Sequence, residues 1–127
     1  MKKALVVASI LIAVAVAACG GGGGGGGSAG NVNNGKTLFT GTGGCIVCHT
    51  IQGVSTGTIG PELTHVGTVG ATRKPGMDAE AYIRESILTP GAYVVSGFPD
   101  GQMPTDFGTR LTAQQQNDVV AYLLSLK

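Results

Sequence analysis

The chain has 127 residues and a nearly balanced charge, with eight Lys and Arg against seven Asp and Glu. It contains no cluster of basic side chains, which excludes the electrostatic footprint of a nucleic-acid-binding protein. This length allows one small domain, and a chain with 23 glycines and no tryptophan supplies only a limited apolar core. We therefore expect a small folded unit that needs an additional source of stability.

The first 19 residues have the layout of a secretory signal. Lys2 and Lys3 form a basic start, residues 4–18 are an uninterrupted small and apolar run, and Cys19 follows directly. Residues 16–18, Val-Ala-Ala, resemble the lipobox of bacterial lipoproteins, in which the next cysteine receives a diacylglyceryl group. We predict that residues 1–18 are a cleaved lipoprotein signal peptide and that Cys19 is lipidated. The alternatives are an ordinary signal peptide and an uncleaved membrane anchor, for which the apolar run is shorter than the ~20 residues that a spanning helix needs.

A glycine-rich segment follows the signal. Residues 20–27 are all glycine, and residues 28–34 show no apolar periodicity. This composition is typical of a flexible tether, whereas a phosphate-binding loop would end in Gly-Lys-Ser/Thr before a helix. We predict that residues 19–33 are a lipid-bearing tether with a reach of about 20 Å and that residues 34–127 are the folded domain. The protein is then exported in a bacterium and anchored to a membrane on its periplasmic or extracytoplasmic face.

Apolar periodicity predicts three helices and little β-structure. The first runs from residue 35 to about residue 42, with Asn33 and Asn34 as candidate N-caps. The second runs from the N-cap Asp78 to about residue 88. The third begins at a capping box, Thr-Ala-Gln-Gln at residues 112–115, and its apolar side chains recur at i, i+3, i+4 and i+7. The fold class is therefore all-α, with glycine- and threonine-rich loops between the helices.

Cys45, Cys48 and His49 form the motif C-x-x-C-H, the signature of covalent haem attachment. Each thiol can add across one vinyl group of the porphyrin as a thioether, and the adjacent imidazole is then held within reach of the iron. A zinc site would need about four ligands, and after this motif the chain offers only His65 and no further cysteine. A redox dithiol would need a βαβ context, which the flanking segments do not provide. We predict one covalently bound haem c with His49 as an iron ligand.

The second axial ligand of the iron has three candidates, Met77, Met103 and His65. Met103 lies in a Gly-Gln-Met-Pro loop without helical or strand pattern, and Pro104 restrains the backbone after it. Met77 has a competing role, because it lies five positions before Tyr82 in the relation of a hydrophobic staple. A lone histidine in a polar loop, such as His65, is more often solvated than a ligand. We predict that Met103 is the ligand, with Met77 and His65 as the alternatives.

These features together resemble a class I, single-haem c-type cytochrome in a membrane-anchored bacterial lipoprotein form. The resemblance covers residues 34–127 and implies a small cytochrome c fold, with three or more helices and loops wrapped around one haem. Cys45 and Cys48 match the thioether positions, and His49 matches the proximal ligand. Met103, in a Met-Pro loop, matches the distal ligand.

Two further sets of residues match the same family. Residues 60–63, Gly-Pro-Glu-Leu, match its Gly-Pro-x-Leu stretch, which implies that the carbonyl of Pro61 accepts a hydrogen bond from the proximal histidine and fixes its tautomer. Gly35 and Phe39 on the first helix and Tyr122 on the last match the contact at which family members cross their terminal helices. The missing side chain at Gly35 allows the close approach.

We expect an electron carrier and not an enzyme, because two filled axial positions leave no site for a small-molecule substrate. The expected carrier is tethered at a membrane surface in a respiratory or photosynthetic chain, with redox proteins or a membrane respiratory complex as partners. One alternative is an integral haem subunit of a quinol-oxidising, oxidase or dehydrogenase complex. Another, from a different class, is a gas-binding or peroxidase-like haem protein with an open distal side. No ring of lysines is present to steer the protein to an acidic dock.

Overall fold

The structure, a computed structural model, describes residues 29–127. The predicted signal peptide, the lipidated Cys19 and the glycine run lie outside the described residues. Within residues 29–127 no helix is long and apolar enough to cross a membrane.

The described part of the chain is mostly helical. Its five α-helices are α1 Val32–Thr40, α2 Val66–Arg73, α3 Ala79–Leu88, α4 Phe107–Arg110 and α5 Ala113–Ser125. Two single 3₁₀ turns lie at Cys45–Val47 and Pro90–Ala92. Two short antiparallel strands, β1 Thr50–Ile51 and β2 Ser55–Thr56, form the one small sheet of residues 29–127. The predicted all-α class is therefore confirmed.

Helix α1 begins three residues earlier than the sequence predicts, and neither Asn33 nor Asn34 is its N-cap. The cap is Asn31, whose side chain accepts a hydrogen bond from the backbone N–H of Asn34 at 3.0 Å. The backbone N–H of Asn31 in turn donates to Oδ1 of Asp118 at 2.8 Å. This contact with the last helix fixes the start of α1 inside the range that the sequence analysis assigned to the tether.

Helices α3 and α5 begin at the predicted caps. Oδ1 of Asp78 accepts from the backbone N–H of Ala81 at 2.8 Å. In the capping box of α5, Oγ1 of Thr112 accepts from the backbone N–H of Gln115 at 3.2 Å, and the Gln115 side chain accepts from the Thr112 N–H at 2.9 Å. Each cap satisfies a backbone donor that the first helical turn leaves without an intrahelical partner.

The sequence analysis missed α2 and α4. Helix α2 has no side-chain cap at His65 and no acidic residue in its first turn, so it lacks the usual signals of a helix start. It is stabilised by packing against the end of α5, where a Cβ atom added to Gly67 would lie 2.3 Å from the carbonyl oxygen of Leu124. Helix α4 is a single turn of four residues, too short for an apolar periodicity.

The crossing of α1 and α5 is the most extensive contact between helices. A Cβ atom added to Gly35 would lie 1.9 Å from the backbone oxygen of Asp118 and 2.7 Å from Cβ of Tyr122, so the two backbones touch at this point. Four residues further along α1, the ring of Phe39 meets the ring of Tyr122 edge-on, with centroids 5.6 Å apart. Burial raises the pKa of Tyr122, and its hydroxyl has no hydrogen-bond partner among the described residues.

One apolar core joins all five helices to the loop segments. Its buried members are Phe39, Ile51, Val66, Tyr82, Ile83, Ile87, Phe107, Leu111, Val119, Val120, Tyr122 and Leu123. Several of these side chains also form the wall of a large open pocket. The core is therefore arranged around a cavity that the chain itself does not fill.

Candidate functional site

A mostly apolar pocket lies between the C-x-x-C-H segment, α3, the loop of residues 90–105 and α5. Its empty volume is about 1250 Å³, which includes open solvent at its mouth. Phe39 from α1, Ile83 from α3 and Leu123 from α5 are among the side chains that form its walls. Because most of its lining side chains are apolar, the pocket suits a large, flat, apolar cofactor.

A tight 3₁₀ turn presents both motif cysteines to the pocket. Gly44 enters the turn with a left-handed φ of 67°, which glycine adopts without strain. The backbone N–H groups of Cys48 and His49 both donate to the carbonyl of Cys45, at 3.2 and 3.0 Å. Cys45 and Cys48 are not joined in a disulfide, and both line the pocket. The turn thus brings two free thiols to one wall of the same cavity.

The pKa of the Cys45 thiol is shifted in the opposite direction from the pKa values of thiols in redox and zinc proteins. Burial raises its pKa to about 11, so the free thiol stays protonated at neutral pH. Redox dithiols and metal-binding cysteines have lowered pKa values and act as thiolates. Within residues 29–127 no three His, Cys, Asp or Glu side chains are grouped as a metal ion would need.

His49 is held in one orientation by the segment that follows the small sheet. Its Nδ1 lies 2.7 Å from the carbonyl oxygen of Pro61, which can only accept, so Nδ1 carries the proton and Nε2 is left free for a metal. Gly60 packs flat against the imidazole, since an added Cβ would lie 2.5 Å from Cε1. Burial lowers the pKa of His49, and the bond to Pro61 opposes this shift.

The sequence analysis missed the contact of Gly60 with His49. No local pattern signals this contact, because it depends on how the segment after the small sheet folds back onto His49. Strand β1 holds the segment of residues 57–63 in place. Oγ1 of Thr50 donates to the carbonyl of Gly57 at 2.7 Å, and the backbone N–H of Leu63 donates to the carbonyl of Thr50 at 2.8 Å.

Of the three candidates for the second axial ligand, Met103 alone lines the pocket. Its side chain is half-buried in the loop of residues 90–105 and packs against the core. Met77 packs against the core away from the pocket. His65 is exposed, and its Nδ1 lies 2.7 Å from the carbonyl of Lys127. The structure therefore brings Met103 to the same cavity as Cys45 and His49, and leaves His65 and Met77 outside it.

The fold and the pocket define a small helical protein with an apolar cavity beside two thiols and an oriented imidazole, which is the donor set that covalent haem requires. The family model for cytochrome c matches residues 32–127. The chain belongs to the cytochrome c family. Its cofactor is covalently bound haem c, and it transfers electrons.

Comparison with solved structures gives a match to the c-type cytochrome SorU from Sinorhizobium meliloti. The identity is 15%, the TM-score is 0.45, and the match covers 75% of this chain and 88% of that one. No curated protein matches the chain.

Proposed function

We propose that this protein is a membrane-tethered electron carrier whose single haem iron has His49 and Met103 as its axial ligands. The observation that carries the proposal is the shared pocket: His49 is fixed by Pro61 with Nε2 free, and Met103 lines the same cavity. An iron with both axial positions filled by protein takes no substrate, which favours electron transfer over catalysis.

The haem and the residues around it would each contribute one property that electron transfer requires. The haem supplies an iron that changes between the ferric and ferrous states. Cys45 and Cys48 would keep the haem attached to the protein outside the cytoplasm. The Pro61 carbonyl holds the imidazole of His49 in place, so that little rearrangement would accompany the change of charge on the iron. A thioether ligand from Met103 together with the His49 imidazole would favour the ferrous state and would raise the reduction potential relative to two histidines.

The anchor is proposed from the sequence of the first 19 residues. A diacylglyceryl group on Cys19 would hold the domain on the extracytoplasmic face of a bacterial membrane, where its partners are redox proteins or a membrane respiratory or photosynthetic complex. Lipid labelling that is lost in Cys19→Ser would support this location. Labelling that persists in the variant would exclude Cys19 as the anchor.

The ligand assignment is tested by replacing Met103 with alanine in the holoprotein. We expect the ferric wild-type protein to show the methionine-to-iron charge-transfer absorption and the ferrous protein to leave carbon monoxide unbound. Met103→Ala should lose this absorption and should bind carbon monoxide, because it opens one axial position. Met77→Ala and His65→Ala are the matched controls and should keep the wild-type spectrum. A wild-type ferrous protein that binds carbon monoxide readily would support a gas-binding protein in place of a carrier.

A further inference from the structure

Asparagine or aspartate precedes glycine at two places in the chain, Asn34-Gly35 and Asp100-Gly101. At such a pair the backbone nitrogen of the glycine can attack Cγ of the preceding side chain and close a five-membered succinimide ring, because glycine has no side chain that would hinder the attack. The side chains alone favour reaction at Asn34, since the amide nitrogen of asparagine leaves more readily than the oxygen of an ionised carboxylate.

Helix α1 protects the first pair. The backbone N–H of Gly35 donates to the carbonyl of Asn31 at 2.9 Å, so an attack by its nitrogen would break a hydrogen bond of the helix. Gly35 is also buried at the crossing with α5, where an added Cβ atom would lie 1.9 Å from the backbone oxygen of Asp118. The peptide unit between Asn34 and Gly35 can rotate toward the side chain only when the start of α1 opens.

The second pair lies in an exposed turn of the loop of residues 90–105. Gly101 has a left-handed φ of 75°, which glycine adopts without strain. Its backbone N–H donates to Oδ1 of Asp100 at 2.7 Å, so the nitrogen is already beside the carboxyl group whose carbon it would attack, and the exposed side chain can rotate into the attack position. The fold therefore reverses the order of reactivity that the two side chains alone would give.

We propose that Asp100-Gly101 is a site of spontaneous isoaspartate formation, which lengthens the loop that carries Met103. In the first step the Gly101 nitrogen loses its proton and bonds to Cγ of Asp100, and Cγ loses its hydroxyl group, so that one water leaves. In the second step one water opens the ring. Cleavage of the bond from nitrogen to Cγ restores aspartate, whereas cleavage at the backbone carbonyl gives isoaspartate. Mass is conserved over the two steps, and neither an oxidant nor an enzyme is needed.

Isoaspartate changes the position of the methionine that follows it. The chain then runs through Cβ and Cγ of residue 100, which adds one carbon and a bond of about 1.5 Å to the backbone. Met103 follows three residues later and lines the pocket, and a displacement of about 1 Å is enough to disable a positioned group. The loss of an axial ligand rests on the proposed function, which assigns Met103 to the iron, whereas the isomerisation of Asp100 does not.

The experiment follows the full-length ferric holoprotein during several weeks at neutral pH and physiological temperature in water enriched in heavy oxygen. Peptide mapping measures the uptake of heavy oxygen, the backbone fragments diagnostic of isoaspartate, and the loss of cleavage before Asp100 by a protease specific for aspartate. Asp100→Glu keeps the charge but should not react, because glutamate would have to close a six-membered ring. Asp100→Asn should reach the same isoaspartate faster than the wild type, with loss of ammonia in place of water.

We expect isoaspartate to form at Asp100 roughly tenfold or more faster than at Asn34, because reaction at Asn34 requires the start of α1 to open. In denaturant this order should reverse, since the helix no longer protects Asn34. The methionine-to-iron absorption of the folded protein should fade in step with the isoaspartate content. It should fade sooner in Asp100→Asn and should persist in Asp100→Glu.

The possible contrary results are distinct. An unmodified Asp100 at the end of the incubation, or faster modification of Asn34 in the folded protein, would overturn the proposed site. Isoaspartate at Asp100 with an unchanged absorption would show that the loop accommodates the additional carbon, and would overturn the effect on Met103. A fresh wild-type protein without the absorption would refute Met103 as the iron ligand, and the peptide map would still decide whether Asp100 isomerises.

Discussion

Asp118 is the residue that connects the chain before α1 to the last helix. Its carboxylate is buried, with an exposed fraction of 4%, and accepts hydrogen bonds from the Asn31 backbone N–H and from Nε2 of Gln114, each at 2.8 Å. The bond from Asn31, followed by the bond from Gln114, lowers the pKa of Asp118 below its ordinary value of 3.8, and burial opposes the shift. The charged form is therefore the one that the fold prefers.

This preference predicts a specific dependence of stability on pH. A carboxylate with a lowered pKa in the folded state stabilises the fold fully above its unfolded pKa, and the contribution is lost as the pH falls through the folded pKa. Asp118→Asn should lower the free energy of unfolding by roughly 1.5–3 kcal/mol at pH 7, the range for a hydrogen bond to a charged group. The difference from the wild type should shrink toward pH 3, as measured by urea unfolding of the ferric holoprotein across a pH series.

The control replaces a carboxylate whose hydrogen bond asparagine can also accept. Asp78→Asn, at the exposed N-cap of α3, should leave stability nearly unchanged, because asparagine caps helices as well as aspartate does. A stability difference for Asp118→Asn that stays constant from pH 7 to pH 3 would show that the charge of Asp118 does not stabilise the fold.

The residues of the site differ in how much of their position could be predicted from the sequence. The spacing of Cys45, Cys48 and His49 puts two thiols and an imidazole on one turn, which is local geometry that the sequence states directly. The bond from His49 to Pro61 spans 12 residues and could be expected only from the resemblance to a family. The contact of Gly60 with the imidazole depends on how the hairpin folds back, and local pattern does not report that.

At the scale of elements, the same distinction separates the predicted helices from the missed ones. Helices α3 and α5 begin at side chains that satisfy their own first turn, so their starts are readable in the sequence. For α1 the three asparagines at positions 31, 33 and 34 are all suitable caps, and the choice is made by Asp118, 87 residues away. Helix α2 depends on its contact with α5 and carries no cap of its own.

The crossing of α1 and α5 predicts the effect of one added methyl group. Gly35→Ala would place Cβ against the backbone of Asp118, which cannot rotate away, so the helices must separate. Overpacking of this kind costs about 1–3 kcal/mol or more, and we expect that loss in chemical unfolding of the holoprotein. The aromatic contact of Phe39 with Tyr122 should loosen as well, with a change in their near-ultraviolet circular dichroism.

The matched control for this change is another helical glycine. Gly108→Ala in α4 would bring Cβ no closer than 3.9 Å to Cδ2 of Leu88, an ordinary contact, and alanine favours helix over glycine by up to about 1 kcal/mol. Its stability should equal or exceed that of the wild type. If Gly35→Ala were as stable as Gly108→Ala, the close approach of the two helices would not be a constraint on the fold.

At the scale of the whole molecule, the core and the pocket share their side chains. Phe39, Ile83, Val119 and Leu123 belong to the buried cluster and also line the cavity. Without a cofactor, these side chains face an open pocket instead of packed atoms. A domain of about 100 residues has little stability in reserve, so the apolar area buried against the haem is a large share of what opposes the conformational entropy of the chain.

This arrangement predicts that the polypeptide folds only with its haem attached. Cys45→Ser combined with Cys48→Ser removes both attachment points, and we expect the resulting chain to lose most helical circular dichroism and to unfold without a cooperative transition. Cys19→Ser changes the remaining cysteine and should keep haem, helix content and a sharp transition. Amide hydrogen exchange in α5 gives the decisive measurement, because α5 packs against both α1 and the pocket. Protected α5 amides and cooperative unfolding in the haem-free chain would show that its own core suffices, and that the haem enters a structure already formed.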